Sequence, residues 1–189
     1  MVSYRGGAAL KPDDFQTAGA HLVFPKKYIV PGGELPSDRV RTYCSQEFFS
    51  SNGASVIDSS YLVTTLRDLV PSGPSIGYIV KYDGDSQYML AQGVYGLQID
   101  ERTTDRRFLI QFSNTLSYRR WMQRIKVGST QVHIRLGDFK KVEIQLPSLS
   151  EQQKIADFLG AIDRKIKTVS TQITETQTFK RGLLQQMFV

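Results

Sequence analysis

The feature that most constrains this chain is a proline-free stretch after Pro147, in which apolar residues recur at alternating steps of four and three. Eight of the ten seam positions are apolar, and an average step of 3.5 residues is typical of a coiled coil. The seam consists of Ile155, Leu159, Ile162, Ile166, Val169, Ile173, Thr176, Lys180, Leu183 and Met187. Ser150 followed by Gln153 has the spacing of a capping box. We therefore predict a helix over residues 151–188, roughly 57 Å long at 1.5 Å per residue.

A helix of this length cannot bury its whole seam against the 149 residues that precede it. We therefore expect the seam residues to pair with another helix. Thr176 and Lys180 weaken the seam towards its distal end and can set the register of the pairing. Gly160 and Gly182 each cost about 1 kcal/mol in a helix interior, so we expect the helix to fray after Gly182.

Residues 1–149 are predicted to form a β-rich domain, because short β-prone runs alternate there with turn residues. The predicted strands are 61–66, 76–82, 93–99, 108–112, 132–136 and 142–146. A helix over residues 114–125 interrupts them, capped by Ser113, with Tyr118, Trp121, Met122 and Ile125 facing the core. The predicted fold class is α+β, with a mixed β-rich domain over 1–149 followed by a long coiled-coil helix over 150–189.

Charge and composition exclude several classes of protein. The chain has 24 Lys and Arg against 18 Asp and Glu, a net charge of +6. Residues 119–141 hold seven basic residues and one acid, so this stretch alone carries 7 − 1 = +6. The single cysteine, Cys44, excludes a disulfide scaffold, and no run approaches the ~18 apolar residues of a membrane span. Without the apolar core of a secretory signal, we expect a soluble, cytoplasmic protein with a polyanionic partner.

No catalytic constellation is recognisable in the sequence. The two histidines, His21 and His133, and the lone Cys44 lack the local signature of a nucleophile pair. No Cys/His cluster has zinc spacing, and no glycine-rich loop has the context of a nucleotide site. Asp83 and Asp85 lie in a turn and are read as solvated acids. The chain is therefore predicted to be a binding module and not an enzyme, with no metal and no cofactor.

The basic stretch is predicted to contact nucleic acid. Arg and Lys neutralise phosphates, Arg also binds guanine, and the small polar turn that follows can reach phosphates or base edges. The candidates are Arg119, Arg120, Arg124, Lys126, Ser129, Thr130 and Gln131, with Lys26, Lys27, Arg39, Arg41 and Arg67 as further cations. The alternative is an ordinary solvated helix face.

The junction between domain and helix carries the motif I-x-L-P-x-L-x-E-Q-x-x-I, formed by Ile144, Leu146, Pro147, Leu149, Glu151, Gln152 and Ile155. The helix ends with Lys180-Arg-Gly-Leu-Leu-Gln-Gln-Met-Phe188, which is similar to the pattern K-x-G-L-L-Q-Q-L-F. Both motifs resemble the specificity (S) subunit of type I restriction-modification systems, where a target recognition domain enters its spacer helix. Residues 60–82 and 128–130 resemble inner segments of that domain.

The resemblance implies double-stranded DNA as a partner. Usual family members have two recognition domains separated by two long antiparallel helices, and each domain reads one half of a bipartite target. The implied protein partners are methyltransferase subunits, which use S-adenosylmethionine, and through them a motor-endonuclease subunit. With one recognition domain and one helix, this chain is expected to be a fragment of a longer subunit or a half-subunit. A half-subunit would form a homodimer through its helix and would read a palindromic bipartite target.

Two alternatives stay open. The chain could be a non-catalytic coiled-coil adaptor or decoy whose domain binds another protein. It could also be a recognition domain from a fused restriction-methylation enzyme. Salt-dependent binding to duplex DNA separates the adaptor from the recognition module.

Overall fold

The structure is a computed structural model that describes residues 3–31, 35 and 42–188. Its strands are β1 (Ser3–Gly6), β2 (Phe15–Gln16), β3 (His21–Val23), β4 (Tyr43–Cys44), β5 (Val56–Ile57), β6 (Leu62–Thr65), β7 (Arg67–Asp68), β8 (Ile79–Val80), β9 (Tyr88–Met89), β10 (Val94–Gln98) and β11 (Val132–His133). Its α-helices are α1 (Gln46–Ser51), α2 (Arg106–Ser113), α3 (Leu116–Ile125), α4 (Leu136–Lys140) and α5 (Leu149–Met187). The predicted α+β class with a long C-terminal helix is confirmed. The division into a domain over 1–149 and a helix over 150–189 stays a prediction.

Within the described residues the strands form three sheets. A four-stranded antiparallel sheet has the order β1-β10-β6-β8, and β7 pairs with β11. A five-stranded sheet has the order β2-β4-β3-β9-β5 and is mixed, because β3 and β9 run parallel. The strands predicted at 61–66 and 93–99 are present as β6 and β10, while the one predicted at 76–82 is shortened to β8.

Strand β6 lies at the centre of the domain, with both faces buried. Leu62 packs into a cluster with residues of α2 and α3, whereas Val63 points the other way, into a cluster that contains Tyr88 of the five-stranded sheet. The four-stranded sheet is therefore covered by helices on one face and by the second sheet on the other. On the neighbouring strand, a Cβ at Gly96 would lie 2.7 Å from Cγ2 of Ile57, so glycine lets the two layers approach.

The prediction of a strand at residues 108–112 was wrong, because this run belongs to helix α2. The carboxylate of Asp105 accepts hydrogen bonds from the backbone N–H of Arg107 at 2.8 Å and of Phe108 at 3.1 Å, which starts the helix. Phe108 and Phe112 lie one helical turn apart and share a face. A short apolar run fits a strand or a buried helix equally well, and the cap decides between them.

Helix α3 begins at Leu116 instead of Asn114, and its cap is Thr115, so the predicted cap at Ser113 was wrong. Ser113 lies in the last turn of α2, fully buried. Its hydroxyl accepts a hydrogen bond from the backbone N–H of Ile79 at 3.1 Å, which ties α2 to strand β8.

The core face of α3 is close to the prediction. Tyr118 and Met122 are buried, and Ile125 is half-buried against the same cluster. Trp121 was expected to face the core, but it is 38% exposed. The apolar stripe of this helix is therefore narrower than its sequence suggests.

The two strands predicted between residues 132 and 146 are largely absent. Only Val132–His133 pairs as β11, and α4 starts at Leu136. In the structure as described, residues 142–146 pair with no strand, yet Val142 and Ile144 are half-buried between exposed neighbours. The alternation is real, but it reflects packing of an extended segment on the helical cluster and not a sheet.

Helix α5 contains 39 residues, Leu149–Met187, and is roughly 58 Å long. Its cap is Ser148 and not Ser150: the Ser148 hydroxyl accepts from the backbone N–H of Glu151, and the Glu151 carboxylate accepts from the backbone N–H of Ser148 at 3.0 Å. Both serines have a partner three residues later. The Ser148 box has the charged acceptor, which the positive end of the helix dipole favours.

Gln152 joins the start of α5 to the rest of the domain. Its side chain is fully buried, and its Oε1 accepts from the backbone N–H of Asp105 at 2.9 Å. Its Nε2 donates to the carbonyl oxygens of Thr103 at 3.0 Å and Pro147 at 2.9 Å. One turn later, Ala156 is also buried, against α2. A single amide therefore joins the backbone that precedes α2 to the backbone that precedes α5.

We expect Gln152→Leu to lower the free energy of unfolding by about 2–3 kcal/mol, because one backbone N–H and two carbonyl groups lose their buried partner. Gln153→Leu is the matched control, since Gln153 is exposed and should change stability by no more than about 0.5 kcal/mol. Urea denaturation followed by circular dichroism measures both values. Equal stability of the two variants would contradict the assigned role of Gln152.

Candidate nucleic-acid interface

Strands β7 and β11 pair antiparallel, with Asp68 opposite Val132. This pairing brings the loop of residues 69–77 beside the turn of residues 128–131. The turn depends on Gly128, which has φ = 108°, and a Cβ there would lie 2.1 Å from the carbonyl oxygen of Gln131. We define the β7–β11 edge as Arg67, the loop residues 69–73 and the turn residues 128–131.

The buried carboxylate of Asp68 fixes the loop 69–77 near both of its ends. It accepts hydrogen bonds from the backbone N–H of Leu69 at 2.9 Å and of Ser75 at 3.0 Å, and from the Ser75 hydroxyl at 2.7 Å. Burial acts to raise the pKa of Asp68, but the hydrogen bonds from Ser75 and the charge of Lys26 outweigh it and hold the pKa below its usual range. The carboxylate is therefore ionised at neutral pH.

Arg119, one of the predicted DNA-binding residues, contacts the same loop. Its guanidinium donates to the carbonyl oxygens of Ile76 at 2.7 Å and Pro74 at 3.4 Å, and it stacks 3.6 Å from the ring centroid of Tyr78. Burial lowers its pKa. These contacts use several of the five guanidinium donors to attach α3 to the loop.

Gln123 on α3 and Lys126, directly after the helix, extend this attachment. The Lys126 ammonium donates to the carbonyl oxygens of Pro71 at 2.8 Å and Ser72 at 3.2 Å, and the Gln123 amide donates to Ser72 at 3.3 Å. Sequence reasoning read Lys126 as a phosphate contact. In the structure the Lys126 ammonium holds the tip of the loop through its hydrogen bonds to Pro71 and Ser72.

Arg120 and Arg124 are placed differently from Arg119 and Lys126. Both are exposed, one turn apart on α3, and neither has a hydrogen-bond or ion-pair partner for its guanidinium in the described part of the chain. Of the four basic residues predicted on this helix and its end, these two carry the charge that a ligand can reach.

Arg67 and Gln131, both predicted candidates, lie together although 64 positions separate them. The Arg67 guanidinium donates to Oε1 of Gln131 at 2.8 Å and to Oε1 of Gln92 at 3.2 Å. Sequence reasoning missed Gln92, since no local pattern connects it with β7. Ser129 and Thr130 are exposed in the turn, as their predicted role requires.

The remaining predicted cations are not equivalent. Lys26 donates to the backbone carbonyl of Arg67 and lies 3.9 Å from Asp68, and burial lowers its pKa while Asp68 acts against that shift. Lys27 is exposed, with its ammonium 5.3 Å from the ring centroid of Tyr28. Arg39 and Arg41 lie outside the described residues.

Two apolar residues of the β7–β11 edge were missed by sequence reasoning. Leu69 and Val70 follow β7 directly and are 66% and 45% exposed. Sequence alone gives no reason to expect them at a surface, because an apolar pair after a strand is most often core.

The seam of α5 is exposed in this single chain. Leu159 is half-buried, and the other predicted pairing residues have exposures between 40% and 72%. These are Ile155, Ile162, Ile166, Val169, Ile173, Leu183 and Met187. Phe158 and Phe179 add two further exposed rings that the seam pattern does not include. The pairing role of these residues stays a prediction, which their exposure supports.

The described residues contain no group of three or more His, Cys, Asp and Glu side chains that could hold a metal ion. Among the helices described, none has the length and apolar character needed to cross a membrane. Cys44 is buried, and burial raises the pKa of its thiol, which disfavours the reactive thiolate form.

Comparison with known proteins gives one consistent result. The family model for the type I restriction modification DNA specificity domain matches residues 17–177. A protein of Haemophilus influenzae named as a type I restriction enzyme specificity subunit is 28% identical over 158 residues. The match covers 79% of this chain and 37% of that protein.

Solved structures show the same fold. A chain from a study of complex assembly and conformational transition in the type I R-M system has a TM-score of 0.62 at 19% identity, covering 95% of this chain and 40% of that one. The S subunit of a type I restriction-modification system from M. genitalium has a TM-score of 0.61 at 15% identity, covering 98% and 43%. This chain therefore spans about two fifths of the length of these relatives.

The contacts of Arg119 predict that Arg119→Met lowers the free energy of unfolding by about 1–2 kcal/mol, through lost hydrogen bonds and lost stacking on Tyr78. Arg120→Met removes the same charge from an exposed position and should stay within about 0.5 kcal/mol of the parent chain. Thermal and urea unfolding test the pair. If Arg120→Met costs as much as Arg119→Met, the guanidinium contacts of Arg119 do not explain its effect.

Proposed function

Because this chain belongs to the family of type I restriction-modification DNA specificity domains, we propose that it reads one half of a bipartite DNA target. Recognition of target DNA in restriction-modification systems is the function that this family supports. In our proposal the domain directs methyltransferase subunits to the site and, through them, the motor-endonuclease subunit.

The observation that carries this proposal is the arrangement at the β7–β11 edge. Arg67 is held by two glutamine side chains, while Ser129 and Thr130 are exposed in the adjacent turn. An arginine fixed in this way can bind guanine in the major groove, and short polar side chains can reach phosphates or base edges. Arg120 and Arg124 provide exposed positive charge on α3, the helix that packs against the loop of this edge.

We further propose that α5 pairs with an equivalent helix. The exposed seam is too long and too apolar to stay in water, and a coiled-coil partner would cover it. The partner is either α5 of a second copy or the corresponding helix beside a second recognition domain. A homodimer would present two identical reading surfaces and would therefore select a palindromic bipartite sequence.

The chemistry in this proposal belongs to other subunits. Methylation with S-adenosylmethionine is assigned to the methyltransferase partners and cleavage to the motor-endonuclease partner. This chain contributes binding and orientation and is not an enzyme. The alternative of a protein-binding adaptor is favoured only by the exposed apolar seam, and it predicts no salt-dependent binding to duplex DNA.

We expect Arg120→Ala and Arg124→Ala each to weaken binding to duplex DNA and to reduce the salt slope by about one per phosphate contact. Arg164→Ala, which removes an exposed cation from α5, is the charge-matched control and should leave the slope unchanged. Fluorescence anisotropy over a salt series gives affinity and slope together. Unchanged slopes in both α3 variants would remove this helix from the interface.

A double variant, Ile162→Asp with Ile166→Asp, should convert a dimer into monomers, because it places charge on adjacent seam positions. Thr171→Asp with Thr178→Asp introduces the same charge on the opposite face of α5 and should leave the dimer intact. Sedimentation of both variants gives the mass. A parent chain that is monomeric at tens of micromolar would contradict the homodimer.

A further inference from the structure

We propose that Leu69 and Val70 are specificity-determining residues, which read the 5-methyl group of thymine in the DNA major groove. This inference rests on the proposed function and adds an apolar contact with a base to the contacts proposed for the basic residues. Outside α5, none of the other exposed large apolar residues in the described structure is next to another in sequence; these are Phe15, Val30, Leu116, Trp121 and Leu146. Single exposed apolar residues are ordinary on a protein surface, whereas this adjacent pair lies on the β7–β11 edge.

The backbone of the pair is held rigidly. The backbone N–H of Leu69 donates to Asp68, and the backbone N–H of Gly73 donates to the carbonyl oxygen of Val70 at 3.0 Å. This second bond closes a turn with Pro71 at its second position, where the fixed φ of proline is favoured. The pair is therefore displayed by a fixed turn and not by a loose loop.

Side chains at the end of α3 and directly after it also donate hydrogen bonds to this turn. Lys126 donates to Pro71 and Ser72, and Gln123 donates to Ser72, so two side chains contact the backbone directly after Val70. Keeping two apolar side chains in water on a rigid turn has no benefit for folding. A binding surface gains from this arrangement, because a preformed contact loses less conformational freedom on association.

The neighbours of the pair favour DNA over protein as the occupant. Arg67 lies on β7, two residues before Leu69, and donates to Gln131 across the pairing. The exposed turn residues Ser129 and Thr130 belong to the same edge, and exposed Lys27 follows Lys26, which contacts Arg67. Apolar side chains among cations and amides match a major groove, where the thymine methyl group is apolar and the surrounding base edges and phosphates are polar or charged.

The decisive probe is deoxyuridine, which differs from thymidine only by the missing methyl group. A duplex selected by the full chain from a randomised library is first confirmed by anisotropy, and each thymine is then replaced singly by uracil. At the position read by the pair, affinity should fall about fourfold, the value for one buried methyl group. Leu69→Ala or Val70→Ala should remove this difference between thymine and uracil.

Leu116→Ala is the matched control. Leu116 is 74% exposed at the other end of α3, roughly 14 Å along that helix from Ile125, and its variant should keep the discrimination. The proposal is overturned if every uracil duplex binds like the parent, or if both loop variants still discriminate. It is also overturned if the variants weaken binding equally to thymine and uracil duplexes, which would indicate a wedge between bases.

These outcomes separate the inference from the proposed function. If the chain selects no duplex and binds without sequence preference, the proposed recognition function itself fails. If a sequence is selected but the loop variants select it unchanged, recognition stands and only the role of Leu69 and Val70 is lost. Thermal unfolding of the three variants checks that the domain is intact, as expected for exposed side chains.

Discussion

The buried amide of Gln152 is the interaction on which the placement of the long helix depends. It accepts from the backbone just before α2 and donates to carbonyl groups just before α2 and just before α5. An unsatisfied group at this depth would cost about 1–3 kcal/mol, so the amide selects one orientation of α5 on the domain. Around it, Arg107 pairs with Asp157, and the amide of Gln111 donates to Asp163 at 2.5 Å. Three contacts along α2 therefore define the direction in which the helix leaves.

The positive charge of residues 119–141 has two different uses. Arg119 and Lys126 bind carbonyl groups of the loop, Lys140 lies 4.8 Å from the ring centroid of Tyr4, and Lys141 pairs with Asp138. The exposed Arg120 and Arg124 are the residues of α3 left to attract an anion. A net charge counted from sequence thus overstates the charge that faces a ligand, because arginine and lysine also bind backbone carbonyl groups of the same chain.

Sequence patterns predicted the elements whose signal is long and repeated. The seam of α5 extends over nine steps, and its helix was predicted within two residues at the start. Predictions from short runs were wrong where two structures fit the pattern equally well. Residues 108–112 are helical because Asp105 caps them, and the apolar residues of 142–146 alternate although this segment has no strand partner among the described residues.

The candidate site was predictable only in part, because several of its contacts depend on the tertiary structure. Arg67, Ser129, Thr130 and Gln131 were chosen by residue type, and the pairing of β7 with β11 brings them together. Gln92 contacts Arg67 only through the fold, so no local signal identifies it. Leu69 and Val70 were missed because exposure of an apolar residue is a property of tertiary structure.

A continuous series of packed groups connects α5 with the loop of residues 69–77, part of which forms the β7–β11 edge. Gln152 bonds the cap residue of α2, Phe112 of α2 packs on Tyr118 of α3 with ring centroids 5.6 Å apart, and the Tyr118 hydroxyl donates to the carbonyl of Gly77 at 2.8 Å. Each link is buried or half-buried, so the loop and the helix should move as one body. A protein that reads two half-sites at a fixed spacing needs this property. Movement of the β7–β11 edge relative to α5 would change the distance between the two half-sites that it can bind. The same residues that stabilise the fold would therefore also determine how precisely the protein selects the spacing between the half-sites.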